Sequence, residues 1–359
     1  MRGIGGRDEL RGELASGGWR LSIGPDDLQY GGGMEVVAQS LPAGVEESAE
    51  VIAWIRELTT HWMRTSHPNR LQLYGLERSG ERWVLLTEPE PAYSLASMAA
   101  AAARVPLEER IGWAVARLLE LEGAVTSYGE VHGEIGGRSV AFTGESRLVL
   151  LPPLPRASTD HAVTGRATYS GSRTLRWMTP EEVRGQTRTH ASDVHQLGLV
   201  AGALLGAPSP YEALTDFETI TAKTSGAPVP RPRELGLDVP PALDAALGRA
   251  TALAPADRFA TAAELAVELR PFARDSAAVR ERVRAILEEL RPPRRKLPFL
   301  EGLVHRPCSK RWDELTPTAR DEVRHCSDCE LTVQRVRSVA ALVPLEGSCV
   351  FYDPEREPG

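Results

Sequence analysis

Cysteine is absent from the first five sixths of this 359-residue chain, and all four cysteines, Cys308, Cys326, Cys329 and Cys349, fall near its C-terminal end. That absence excludes a disulfide framework for the larger part and implies a reducing compartment, with the cytoplasm as the default expectation. Long hydrophobic runs are missing too. The alanine stretch Ala99–Ala103 is too short to cross a membrane and is closed by Arg104. The first residues carry Asp8 and Glu9 with no apolar core behind them, unlike a secretory leader. Positive charge is not in excess: the net charge of −7 argues against nucleic acid or an anionic membrane as a partner. The basic cluster Arg291, Arg294, Arg295 and Lys296, beside Pro292 and Pro293, reads as a solvated linker.

With 42% hydrophobic and 25% charged residues the chain is of ordinary globular composition, long enough for two or three compact units. Short β-branched and aromatic runs at Glu35–Ala38, Leu71–Tyr74 and Trp83–Thr87 predict strands. Between the first two, Val51, Ile52, Ile55, Leu58, Trp62 and Met63 recur at helical spacing. From Leu107 helical patterns take over, around residues 192–205, 241–252 and 261–272, and then a helix carrying Val279, Val283, Ile286, Leu287 and Leu290. A small β-rich lobe followed by a larger helical one is an α+β arrangement.

Several strings fall in an order that resembles the protein kinases. Trp177-Met178-Thr179-Pro180-Glu181 resembles the A-P-E segment that closes the activation loop, with Thr179 in place of Ala. Ser192-Asp193-Val194-His195-Gln196-Leu197-Gly198 resembles the start of the central helix of the large lobe, and Asp257-Arg258-Phe259 the segment before its last helix. The resemblance implies that Arg258 pairs with Glu181. His67-Pro68-Asn69 resembles the loop into the fourth strand, and Val131-His132-Gly133-Glu134 the catalytic loop.

Phosphoryl transfer needs a phosphate-pairing Lys, a proton acceptor and metal ligands held together. Laid over the family pattern H-R-D-L-x-x-x-N, His132 to Ser139 place Glu134 at the base position, Gly136 at the Lys position and Ser139 where an Asn would hold a metal. The magnesium-binding D-F-G falls in a segment reading Leu151-Pro152-Pro153-Leu154, so Pro152 stands at the Asp position. Gln39, a neutral amide, replaces the strand Lys. Ala15 and Arg20 stand at glycine positions of the phosphate loop. The resemblance thus implies a degenerate pseudokinase with no catalytic set and no ATP binding, in which Glu181, Asp193, Gly198 and Arg258 remain as fold supports.

The four cysteines follow a C-x17-C-x2-C-x19-C pattern. Four thiolates so spaced suit one tetrahedral zinc; buried free thiols, a redox pair or disulfides are the alternatives. The segment resembles small four-cysteine modules, with Trp312 after the first Cys and Arg324-His325 before the C-x-x-C.

The reading is a two-lobed kinase-like domain, an N-lobe over 1–90 and a C-lobe over 91–272, then a linker over 273–300 and a zinc-ribbon-like domain over 301–359. The expected function is a protein-binding scaffold or allosteric regulator in bacterial signalling, with a protein of unspecified identity as partner. The alternatives are a nucleotide-dependent transferase using Glu134, and a structural subunit of a larger assembly.

Overall fold

The structure, a computed structural model, describes residues 9–14, 18–22, 35–41, 49–79, 82–88, 93–137, 139–143, 147–153, 175–211, 214–290, 315–318, 323–326, 331–336 and 349–352. Among them the strands are β1 (Glu9–Leu14), β2 (Gly18–Ser22), β3 (Glu35–Ser40), β4 (Leu73–Ser79), β5 (Arg82–Thr87), β6 (Tyr93–Ser94), β7 (Val140–Phe142), β8 (Leu148–Leu150), β9 (Thr316–Pro317), β10 (Val323–Cys326), β11 (Leu331–Val336) and β12 (Cys349–Tyr352). The helices are α1 (Ala49–Arg64), α2 (Leu95–Ala103), α3 (Leu107–Tyr128), α4 (Pro180–Val183), α5 (His190–Leu204), α6 (Asp216–Ser225), α7 (Pro241–Ala250), α8 (Ala262–Leu269) and α9 (Ala277–Leu290). The chain divides into two compact units, one from residues 1–63, 72–90 and 292–359, the other from 64–71 and 91–291.

The first unit holds a five-stranded sheet in the order β1-β2-β3-β5-β4, antiparallel throughout, with α1 inserted between β3 and β4 in sequence. Helix α1 forms because Ile52, Ile55, Leu58, Thr59 and Trp62 fall on one stripe, and these residues are buried. Leu73, Val84, Leu85 and Leu86 bury the sheet's apolar side chains. The same unit holds a four-stranded sheet ordered β12-β11-β10-β9, in which β11 and β12 run parallel.

The second unit is helical around α5, which is buried over nearly its whole length and packs against α2, α3, α7 and α8. A small sheet, β6-β7-β8, covers one part of it. The loop at His67-Pro68-Asn69 is pinned to β8: Asn69 Nδ2 donates to the Leu148 carbonyl at 2.8 Å, and Leu150 N donates to the Asn69 carbonyl at 2.7 Å.

The helix placed in a linker over 273–300 belongs to the helical unit. Val279, Val283, Ile286 and Leu287 of α9 are buried, and α9 packs against α2 and α3. Tyr93 Oη donates to Glu288 at 2.8 Å, Arg104 pairs with Glu289 at 2.8 Å and Arg282 with Glu109 at 2.9 Å. An amphipathic stripe of this kind buries its apolar face wherever a matching surface lies within reach. The basic cluster at 291–296 lies outside the described residues.

Candidate functional site

The loop at residues 132–139 is held from below by α5. Asp193 Oδ2 accepts from His132 N at 2.9 Å, and its Oδ1 from Gly133 N at 2.7 Å. Burial pushes the Asp193 carboxyl up to about 6, against the pull of those two amides. Three residues on, Gln196 Oε1 accepts from Ile135 N at 2.8 Å, while Nε2 donates to the Gly133 carbonyl at 3.1 Å. His132 is 2% exposed and joins the loop to the strand after it. Its Nδ1 accepts from Glu134 N at 3.3 Å, so the ring proton sits on Nε2, which donates to the Leu151 carbonyl at 2.9 Å.

The segment at residues 175–183 closes over this loop. Thr179 caps α4 in a reciprocal box: its Oγ1 accepts from Glu182 N, and Glu182 Oε2 accepts from Thr179 N at 2.8 Å, with Pro180 in the first turn. A Thr in place of the family's Ala thus has a structural use. Glu181 and Arg258 form a buried two-pronged ion pair, Nη1 to Oε1 and Nη2 to Oε2, both 2.8 Å. Ser192 Oγ adds a bond to Glu181 Oε1 at 2.7 Å. Burial alone would raise the Glu181 carboxyl, but the bonds from Arg258 and Ser192 outweigh it and take it down to about 2. Arg258 spends its remaining N–H groups on the Ala252, Ala191 and Leu253 carbonyls.

Several positions that the resemblance lays over catalytic ones are packed or hydrogen-bonded within this unit. Gly136 stands where the Lys would be, and the Trp177 indole lies on it: a Cβ there would come within 2.5 Å of Trp177 Cδ2. At Gly137 the corresponding distance to Trp177 Nε1 is 3.1 Å. Gly133, at the family's Arg position, has a left-handed φ of +70°, and an added Cβ would lie 2.6 Å from Arg188 Cδ. Arg188 in turn pairs with the buried Glu182 at 2.6 Å. Ser139 is 3% exposed; its Oγ donates to the Glu134 carbonyl and accepts from Gly136 N at 3.2 Å. Pro152 is buried just beyond Leu151, whose amide donates to the Ser139 carbonyl at 2.7 Å. The Glu134 side chain is exposed. Gln39 lies in β3, in register with Gly18 on one side and Leu85 on the other.

Trp177, Arg188 and Gln196 carry this geometry, and sequence reasoning assigned none of them a role. The available signal for Gln196 was a second polar side chain three residues after Asp193, on the same face of α5. A Gly-Gly pair in the loop leaves room for a large ring, but nothing in the sequence says which ring.

Of the tail cysteines, Cys326 ends β10 and Cys349 begins β12, the two strands that flank β11. Cys326 is in register with Leu331 and Cys349 with Val333, so both sit at the end of the sheet where β11 begins. Cys308 and Cys329 lie outside the described residues, as do Ala15, Trp312 and the basic linker. Among the described residues, no group of three or more His, Cys, Asp or Glu is gathered to hold a metal, and no helix is long and apolar enough to cross a membrane.

No protein-family model matches the chain. It is similar to the serine/threonine-protein kinase PknD of Mycobacterium tuberculosis, 31% identical over 146 residues, covering 40% of this chain and 22% of that protein. It is also similar to PknH of Mycobacterium bovis, 28% identical over 140 residues and covering 39% and 23% of the two chains. A third is PknB of Mycolicibacterium smegmatis, 34% identical over 113 residues, covering 32% and 18%. Each match spans less than a quarter of the relative's length. Among solved structures, the kinase domain of Mycobacterium tuberculosis PknI in a single-mutant form superposes with a TM-score of 0.51 at 18% identity, covering 76% of this chain and 93% of that one. A double-mutant form gives 0.53 at 18% identity, covering 74% and 95%. The chain accordingly has a protein-kinase-like fold, with sequence relatives among bacterial serine/threonine kinases.

Proposed function

We propose that this chain is a kinase-fold protein of bacterial signalling that has given up phosphoryl transfer and acts by binding another protein, as a scaffold or allosteric regulator. The observation that carries the reading is the floor of the 132–139 loop, where the Trp177 indole fills the room above Gly136 that a phosphate-directed Lys side chain would need. Two further positions agree with it. The Ser139 hydroxyl is spent inside the loop, and Pro152 offers no carboxylate to a metal ion. Catalysis of this reaction is positioning plus neutralisation of phosphate charge, so losing these groups together removes most of what the fold contributes. Meanwhile the bonds that hold the fold, Asp193 to the loop and Arg258 to Glu181, are all in place.

Calorimetry with ATP and magnesium, together with radiolabel transfer to generic protein substrates, tests the reading. No binding and no transfer is the expected result. A magnesium-dependent micromolar dissociation constant overturns it and favours a transferase that uses the exposed Glu134.

The tail is proposed to hold one structural zinc on Cys308, Cys326, Cys329 and Cys349. Two of the four, Cys326 and Cys349, are brought to one end of a sheet. Four thiolates close the coordination shell, so the ion would supply folding free energy and no hydrolytic chemistry.

A further inference from the structure

The backbone on both sides of Trp177 is tied down by buried side chains. Lys223 Nζ, on α6, donates to the Arg176 carbonyl at 3.2 Å and to the Met178 carbonyl at 2.7 Å. Gln196 Nε2, on α5, donates to the Trp177 carbonyl between them at 3.3 Å. Three consecutive carbonyls are thus held by two side chains, and Lys223 and Gln196 are only 1% and 2% exposed. The Tyr211 ring covers the Lys223 amine from another side, 3.7 Å from Nζ to the ring centroid.

We propose that Lys223 and Gln196 form a latch that holds residues 176–178 so that the Trp177 indole closes the loop floor at Gly136 and Gly137, and that the latch opens with solvation of the Lys223 amine. The latch stands on its own geometry, whether or not the chain transfers phosphate.

The chemistry of Lys223 gives the latch a direction. Burial pushes its amine down to about 7, although the carboxylates of Glu182 and Glu181 on α4 hold it up. A neutral amine keeps two N–H donors, which is the number of carbonyls it serves, so the closed latch remains satisfied without the charge. Once opened to water the amine returns toward the ordinary lysine value near 10.4. Opening therefore takes up a proton between about pH 7 and pH 10, and the closed form gains by up to about tenfold per pH unit across that window. Below pH 7 the balance is flat.

Three other groups facing Lys223 are shifted well outside that range. Burial pushes His195 on α5 down to about 3, helped by Arg258 and Lys223, and pushes Tyr211 up to about 12. Glu181 is held at about 2. Glu182 is paired with Arg188, and Arg184 donates to the carbonyls of Lys223 and Thr224. Arg176 contributes its carbonyl to the latch.

Hydrogen exchange by mass spectrometry on the full chain, from pH 6 to pH 10 and corrected for intrinsic rates, reads the latch directly. The peptide spanning residues 175–180 should gain protection by up to about tenfold per unit above pH 7, while a peptide from α3 should not. In Lys223→Met the slope should vanish. In Gln196→Leu the slope should remain at lower overall protection, because the lysine is intact. A flat wild-type profile, a slope shared equally by α3, or a slope that survives in Lys223→Met each overturns the proposal. Should Lys223→Met fail to fold, the wild-type and Gln196→Leu profiles decide it.

Discussion

The indole of Trp177 packs against Gly136, close enough that a single added carbon would stand 2.5 Å from its Cδ2. The two residues are therefore one packing unit, a large ring and the absence of a side chain. Gly136→Lys, which writes the family's residue back into the loop, is expected to cost about 1–3 kcal/mol through overpacking and to confer no transfer activity. Adding Trp177→Ala should recover part of that loss. Chemical denaturation of the two single variants and the double variant gives the coupling, and strict additivity would show that the ring and the glycine do not share one space.

The Glu181–Arg258 pair predicts both a stability loss and an acid limb. Arg258→Ala strands a buried carboxylate and three backbone carbonyls, at a cost of about 3–5 kcal/mol. Because the folded Glu181 carboxyl sits at about 2, below its ordinary 4.5, the pair's contribution is complete above that ordinary value and is lost as pH falls toward 2. Urea melts between pH 2 and pH 7 should show a shallower acid loss in Glu181→Gln than in the wild type. Parallel curves would contradict it.

Helix α9 belongs to the helical unit, so its removal should be felt there. Leu287 is 1% exposed, and Leu287→Ala is expected to cost about 2–5 kcal/mol by thermal or denaturant unfolding. A true linker helix would tolerate the change within about 0.5 kcal/mol.

Elemental analysis of chain purified without chelator or metal affinity resin should return one zinc per chain. Cys326→Ser and Cys349→Ser should each lose it, and thiol reactivity should rise in parallel. Full native reactivity of all four thiols in metal-free protein would leave the tail without a metal role.

Much of the architecture was legible because it rests on local rules. The stripe of Ile52, Ile55, Leu58 and Trp62 announces α1, and the β-branched runs announce β3 and β5. The pairing of Glu181 with Arg258 came through resemblance, since nothing local ties residues so distant in sequence. The cover of Trp177 over Gly136 was not legible, because a missing side chain leaves a space without naming what fills it. Lys223 was hidden for a related reason: a lone lysine on a polar helix reads as a surface charge, and only the carbonyls of residues 176 and 178 make its burial tolerable. The packing of α9 was hidden in the same way. Its apolar stripe was visible, but the matching faces of α2 and α3 were not.

The left-handed turn at Gly133 bears on how such a chain changes over generations. An arginine returned to that position would meet an unfavourable φ and the side chain of Arg188 at once. A lysine returned to position 136 meets the indole. Each of these single substitutions therefore passes through a less stable protein, and the less costly order begins with Trp177 and Arg188. Under the reading proposed above, the packing of Trp177 and Arg188 opposes a stepwise change of positions 133 and 136 to the family's residues.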